Sequence, residues 1–171
     1  LTLSIGMRAP SVAEMLVDFA GYVAERLPEE LRYSDGGIVP STAAGEIDDA
    51  AIERIERALR DSLTGKALPL RGWFGSFITR YRAAHEAVPR DQPMMADELQ
   101  KQLAKGASLE FNPWSRFAWS RDGRNAILFV SGESYHCPSE LAERLCQRES
   151  LEAAESTSFG PEAIKVLVDL V

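Results

Sequence analysis

The sequence has 171 residues, 45% of them apolar and 26% charged, with a formal net charge of −7. That size and mix suit one or two globular domains with a buried core, and exclude a disordered tail. No apolar run approaches the roughly 18 residues of a membrane helix. Both halves about Pro93 are net acidic, so the basic field that phosphate backbones require is missing. Two cysteines, Cys137 and Cys146, and no signal-peptide pattern point to a reducing, cytoplasmic setting, with the thiols small and buried.

Residues 1 to 8 alternate, with Leu1, Leu3, Ile5 and Met7 on one face and Thr2, Ser4, Gly6 and Arg8 on the other. Period two predicts a strand with one apolar face, and a lone strand needs partners from elsewhere. The chain opens without methionine and stops inside the apolar run IKVLVDLV, so both ends read as cuts in a longer protein.

Pro10 and Ser11 start a helix, with Ser11-Val12-Ala13-Glu14 as a capping box and Met15, Phe19, Tyr22, Val23 and Leu27 as its stripe. Residues 28 to 46 read as a long loop. Asp48 caps a second helix, with Ile47 and Ile52 in staple positions. Its stripe is Ile52, Ile55, Leu59 and Leu63, and Gly65 ends it. A third helix is predicted from Leu70 to Ala87, crowded with Trp73, Phe74, Phe77, Ile78 and Tyr81. Three amphipathic helices predict a small bundle over residues 9–88.

The proline-flanked stretch VPRDQP around residues 89–93 reads as a linker. A short helix follows over 94–105, ended by Gly106, and strands are expected at 108–111, 114–121, 125–131 and 134–136. Asp122-Gly123 and Gly132 mark hairpin turns. A helix over 139–148 and a last one led by Phe159 and Pro161 complete the list. Helix, small antiparallel sheet, helix, helix is the element order of a winged-helix-like module over 94–171. The fold class is therefore α+β.

Local signatures of catalysis are missing. Two histidines, His85 and His136, cannot make a three-histidine zinc site. No H-x-D pair, P-loop, G-x-S-x-G or C-x-x-C occurs. The aromatic cluster of Trp73, Phe74, Phe77 and Tyr81 admits two readings, bundle core or subunit interface, and both can hold. Phe19, Tyr22, Trp73, Phe74 and Phe77 are accordingly the candidate residues of a homodimer interface. The helix region 139–155 carries five glutamates against two arginines, which repels phosphate and argues against DNA binding. Arg116, Arg121 and Arg124 are the local basic group there.

Ser-Ile-Gly-Met-Arg-Ala-Pro-Ser at 4–11, the helix M-L-V-D-F-A-G-Y-V, Tyr33-Ser34-Asp35, and Trp73 to Thr79 (WFGSFIT) resemble bacterial ribosomal oxygenases. These are JmjC/cupin-type Fe(II)- and 2-oxoglutarate-dependent hydroxylases of a large-subunit ribosomal protein. The resemblance implies that residues 1–8 are a remnant of the cupin barrel, 9–88 the helical dimerisation domain and 94–171 the winged-helix-like domain. It also implies that the iron ligands and the basic residue for 2-oxoglutarate lie upstream of Leu1, leaving no cofactor site in the chain itself. Ser4, with Gly6, would face the barrel interior near the cosubstrate, or simply be small where barrel layers pack. Arg8 would pair at the barrel or dimer rim rather than act in catalysis.

Two functions follow. One is the dimerisation and winged-helix region of an Fe(II)/2-oxoglutarate protein hydroxylase, inactive as a fragment. The other is a self-standing dimeric winged-helix adaptor or transcriptional regulator.

Overall fold

The structure is a computed structural model that describes residues 9–32, 45–64, 70–80, 92–147, 150–153, 155 and 159–171. The strand expected at 1–8, the Tyr33–Asp35 motif, Gly65, Tyr81, His85 and residues 88–91 lie outside the described residues. The chain forms two compact units, Leu1–Pro69 and Leu70–Val171.

In the first unit, α1 (Val12–Ala24) begins where the sequence predicts. The Ser11 hydroxyl accepts the Glu14 N–H at 3.1 Å, and the Glu14 carboxylate accepts the Ser11 N–H at 2.7 Å. The capping box thus satisfies two donors that the helix leaves unpaired. Helix α2 (Asp49–Thr64) opens with the Asp48 carboxylate accepting the Ala51 N–H at 2.7 Å. Little is buried here: among the described residues of this unit, only Val23 is fully covered. Ile47, read as half of a hydrophobic staple, is 75% exposed.

The second unit holds α3 (Leu70–Arg80), α4 (Ala96–Ala104), β1 (Phe117–Asp122), β2 (Asn125–Val130), β3 (Glu133–Pro138), α5 (Ser139–Cys146) and α6 (Pro161–Leu170). The strands form one antiparallel sheet in the order β1-β2-β3. Both turns are two-residue loops, and each is set by its glycine. Gly123 has φ of 61°, while Ser131 and Gly132 both lie in the left-handed region at 50° and 101°. A type I′ turn demands positive φ at both central residues, which Ser131-Gly132 supplies.

β2 reads NAILFV, nearly continuous in apolar residues because both its faces are covered. Ala126, Leu128 and Val130 join α4, α5 and α6 in the main core with Leu99, Leu103, Leu141, Leu145 and Leu167. The opposite face presents Phe129, buried under α3. The sheet is therefore sandwiched between α3 on one face and α5 and α6 on the other.

That arrangement corrects the expected domain plan. The linker reading at 89–93 assigned α3 to a three-helix bundle with α1 and α2. Instead α3 packs on all three strands and belongs to the second compact unit. The reason is on its inner face. Gly75 has no side chain, and a Cβ there would enter the Phe129 ring, so the helix can approach β2 closely. A second correction concerns the expected strand at 108–111 and the start of the one expected at 114–121. The first makes only one bridge, in which Leu109 and Leu151 exchange N–H···O bonds of 2.9 Å. The second begins only at Phe117, as β1, because the chain before it turns: the Asn112 side chain accepts the Trp114 N–H at 2.9 Å and its carbonyl accepts the Ser115 N–H at 3.1 Å.

Candidate functional site

The WFGSFIT segment serves as the tether of the second unit. Near its start, Arg71 donates to the Arg121 carbonyl and sits 3.8 Å from the Asp122 carboxylate, at the β1–β2 turn. Near its end, the buried Thr79 hydroxyl donates to the Gly75 carbonyl at 2.9 Å and accepts the Gly132 N–H at 3.0 Å, at the β2–β3 turn. One helix thus clamps both hairpin turns, running along β2 between them.

The interface candidates separate on this geometry. Trp73 and Phe77 stack with ring centroids 5.5 Å apart and are 8% and 4% exposed, so they are core residues of the chain itself. Phe74 is 47% exposed and remains on the surface. Phe19 and Tyr22 are half-buried, and the Arg26 guanidinium lies 3.5 Å from the Tyr22 ring centroid, covering one of its faces. Ser4 lies outside the described residues.

The sequence reading missed two surfaces. The α2 stripe, expected to face a bundle core, is open: Ile52, Ile55, Leu59 and Leu63 are 43–59% exposed. On α1, Val12, Leu16 and Val17 are more exposed still. Amphipathic periodicity announced the α2 stripe, but periodicity does not say what covers it.

The second missed surface is a cleft of about 920 Å³ in the second unit. Its floor is apolar, from Leu109, Phe111, Phe117, Leu145 and Leu167, while Glu110, Glu133 and Asp169 supply carboxylates. Phe111 and Phe117 meet edge to face at 5.2 Å. Among the described residues, no lysine, arginine or histidine lines the cleft. Burial, and then the charges of Glu133 and Asp169, push the Tyr135 phenol above its ordinary range. No periodic pattern could reveal this grouping, since its members come from a loop, a strand and the last helix.

Arg121 lies 5.6 Å from the Trp119 ring centroid, and the neighbouring Asp122 faces Arg71. On α5, Arg144 is committed to Glu155 by two hydrogen bonds of 3.2 and 3.1 Å and to the Ser150 carbonyl at 2.9 Å. These bonds hold the carboxyl of Glu155 below the usual carboxylate range.

Among the described residues no group of three His, Cys, Asp or Glu is placed to hold a metal, and His136 is exposed on β3 opposite Ile127. The two thiols, from β3 and α5, are close neighbours. Burial, followed by the nearby Cys137, pushes the Cys146 thiol up to about 11. Cys137 is also raised by burial, and both are free. They are inert small residues rather than nucleophiles.

Comparison with known proteins follows the same division. Residues 69–171 match the ROXA-like winged helix. Over 109 residues the chain is 27% identical to the ribosomal protein uL16 3-hydroxylase of Escherichia coli K12, covering 64% of this chain and 29% of that protein. The solved structure of the Escherichia coli ribosomal oxygenase YcfD with cobalt and 2-oxoglutarate superposes with a TM-score of 0.70 at 24% identity. That match covers 95% of this chain and 45% of YcfD, so the chain spans less than half of its relative. A second YcfD structure gives a TM-score of 0.69 at 23% identity, and the likeness is one of fold. Because the winged-helix match takes in more than half of its residues, the chain belongs to the ROXA-like winged-helix family.

Proposed function

We propose that the chain is the helical and winged-helix part of an Fe(II)/2-oxoglutarate-dependent oxygenase acting on a ribosomal protein in the cytoplasm. The carrying observation is the family match over 69–171, which starts at the helix that clamps the sheet. The uL16 3-hydroxylase relative supports a large-subunit ribosomal protein as substrate. In this reading residues 1–8 close a cupin barrel, Ser4 faces its interior, and the iron and cosubstrate are held by the barrel. The present residues contribute assembly and docking rather than chemistry.

The assembly is a homodimer through the first unit. Two helices with only Val23 fully buried among their described residues leave large apolar stripes uncovered. A two-fold contact buries each stripe twice. Ile55, Leu59 and Phe19 take the place of Trp73 and Phe77 in that interface. The winged-helix unit does not bind DNA, since its helix α5 presents Glu140 and Glu143 while Arg144 is already paired.

The test is enzymatic. A protein carrying a cupin barrel ahead of this region is incubated with Fe(II), 2-oxoglutarate and uL16, and mass spectrometry reads the substrate. A one-oxygen mass increase with matching succinate supports the reading. Failure of the same protein to hydroxylate any ribosomal protein, with a sequence-selective DNA complex in its place, establishes the regulator alternative.

A further inference from the structure

We infer that the cleft between the 108–117 segment, β3 and the end of α6 is a docking groove for an extended basic peptide segment with apolar residues between its cations. The inference stands apart from the oxygenase reading, because it uses only the cleft's own chemistry. Glu110, Glu133 and Asp169 reach it from three separate parts of the chain, and among the described residues no cation lines it. None of the three carboxylates is paired with a cation among the described residues. A partner's lysines or arginines would meet a carboxylate at each of these three points of the cleft.

The walls select the rest of the occupant. Leu109, Phe111 and Phe117 offer apolar and aromatic surface beneath the charges, and a volume of about 920 Å³ has room for several side chains. A bare polyamine would leave those walls wet, and a nucleic acid would bring phosphates to carboxylates. Tyr135, whose proton is retained beside Glu133 and Asp169, can donate a hydrogen bond to a peptide carbonyl.

The experiment titrates the whole chain into a labelled 12-residue peptide alternating arginine or lysine with leucine and valine, read by fluorescence anisotropy. Binding should weaken about fivefold in the triple variant Glu110→Gln, Glu133→Gln, Asp169→Asn, since three exposed ion pairs are lost. Val168→Trp, which fills the cleft, should weaken it comparably, whereas Glu53→Gln, Glu56→Gln, Asp61→Asn on α2 should leave it unchanged. Circular dichroism melts confirm that each variant is folded, and the charge variant alters only exposed side chains. A peptide that fails to bind overturns the proposal. So does equal weakening by the α2 variant, which reports general acidity. Undiminished binding to Val168→Trp with full competition by spermidine also overturns it, in favour of a polycation on the surface. None of these outcomes depends on hydroxylase activity.

Discussion

Thr79 shows how much one side chain settles here. Its hydroxyl is 2% exposed with the rest of the residue, donates to the carbonyl of Gly75 and accepts the amide of Gly132. Thr79→Val keeps the shape but strands the Gly132 N–H, an expected loss of about 1–3 kcal/mol. Thr79→Ser keeps the hydroxyl and should recover most of it, so paired urea unfolding curves check the assignment. The thiols give a second residue-level expectation. Cys146 titrates near 9 when unfolded and near 11 when folded, so the folded chain keeps its proton where the unfolded chain loses it. The stability this contributes is complete below pH 9 and is lost as pH rises toward 11. Iodoacetamide at pH 8 should label the native chain slowly and the denatured chain fast. Rapid labelling of the native chain would show an accessible thiolate instead.

Among the elements, α3 carries the largest correction. It is aromatic and follows two amphipathic helices, yet it folds against the sheet because Gly75 lets it approach Phe129. Gly75→Ala places a methyl against a ring that is 1% exposed and has nowhere to swing. Overpacking of this kind costs about 1–3 kcal/mol. Thermal melts should show that loss, and Phe129→Leu in the Gly75→Ala background should restore part of it. Additive destabilisation by the two changes would mean that the residues do not meet. The helix ends and hairpins were more legible than this contact. Ser11, Asp48, Pro161, Gly123 and Gly132 act through their immediate neighbours, and local rules therefore located them.

For the whole molecule, the uncovered stripes of α1 and α2 are the decisive feature. Burying one large apolar side chain contributes on the order of 1.5–3 kcal/mol, and a symmetric contact counts each residue twice. That outweighs the repulsion between acidic surfaces screened within about 10 Å at ordinary salt. Light scattering should give twice the chain mass, and Ile55→Glu or Leu59→Glu should halve it while helix content survives. Phe77→Glu, by contrast, should unfold the second unit, because Phe77 is core. A wild-type chain that scatters as a monomer at all concentrations removes the dimer from the proposed function.

Among the described residues, the sequence by itself determined most element types, most helix starts, both hairpin turns and the winged-helix order, all of which depend on residues within a few positions. Periodicity also marked the stripe Ile52, Ile55, Leu59 and Leu63. What lies against a stripe is a long-range matter, and only the tertiary structure decided it. It separated Trp73 and Phe77, which are buried, from Phe74, which is not, and moved α3 from the helices to the sheet. It also brought Glu110, Glu133 and Asp169 to one cleft. Such groupings form when chain segments far apart in sequence close on a shared core, and no local pattern encodes them.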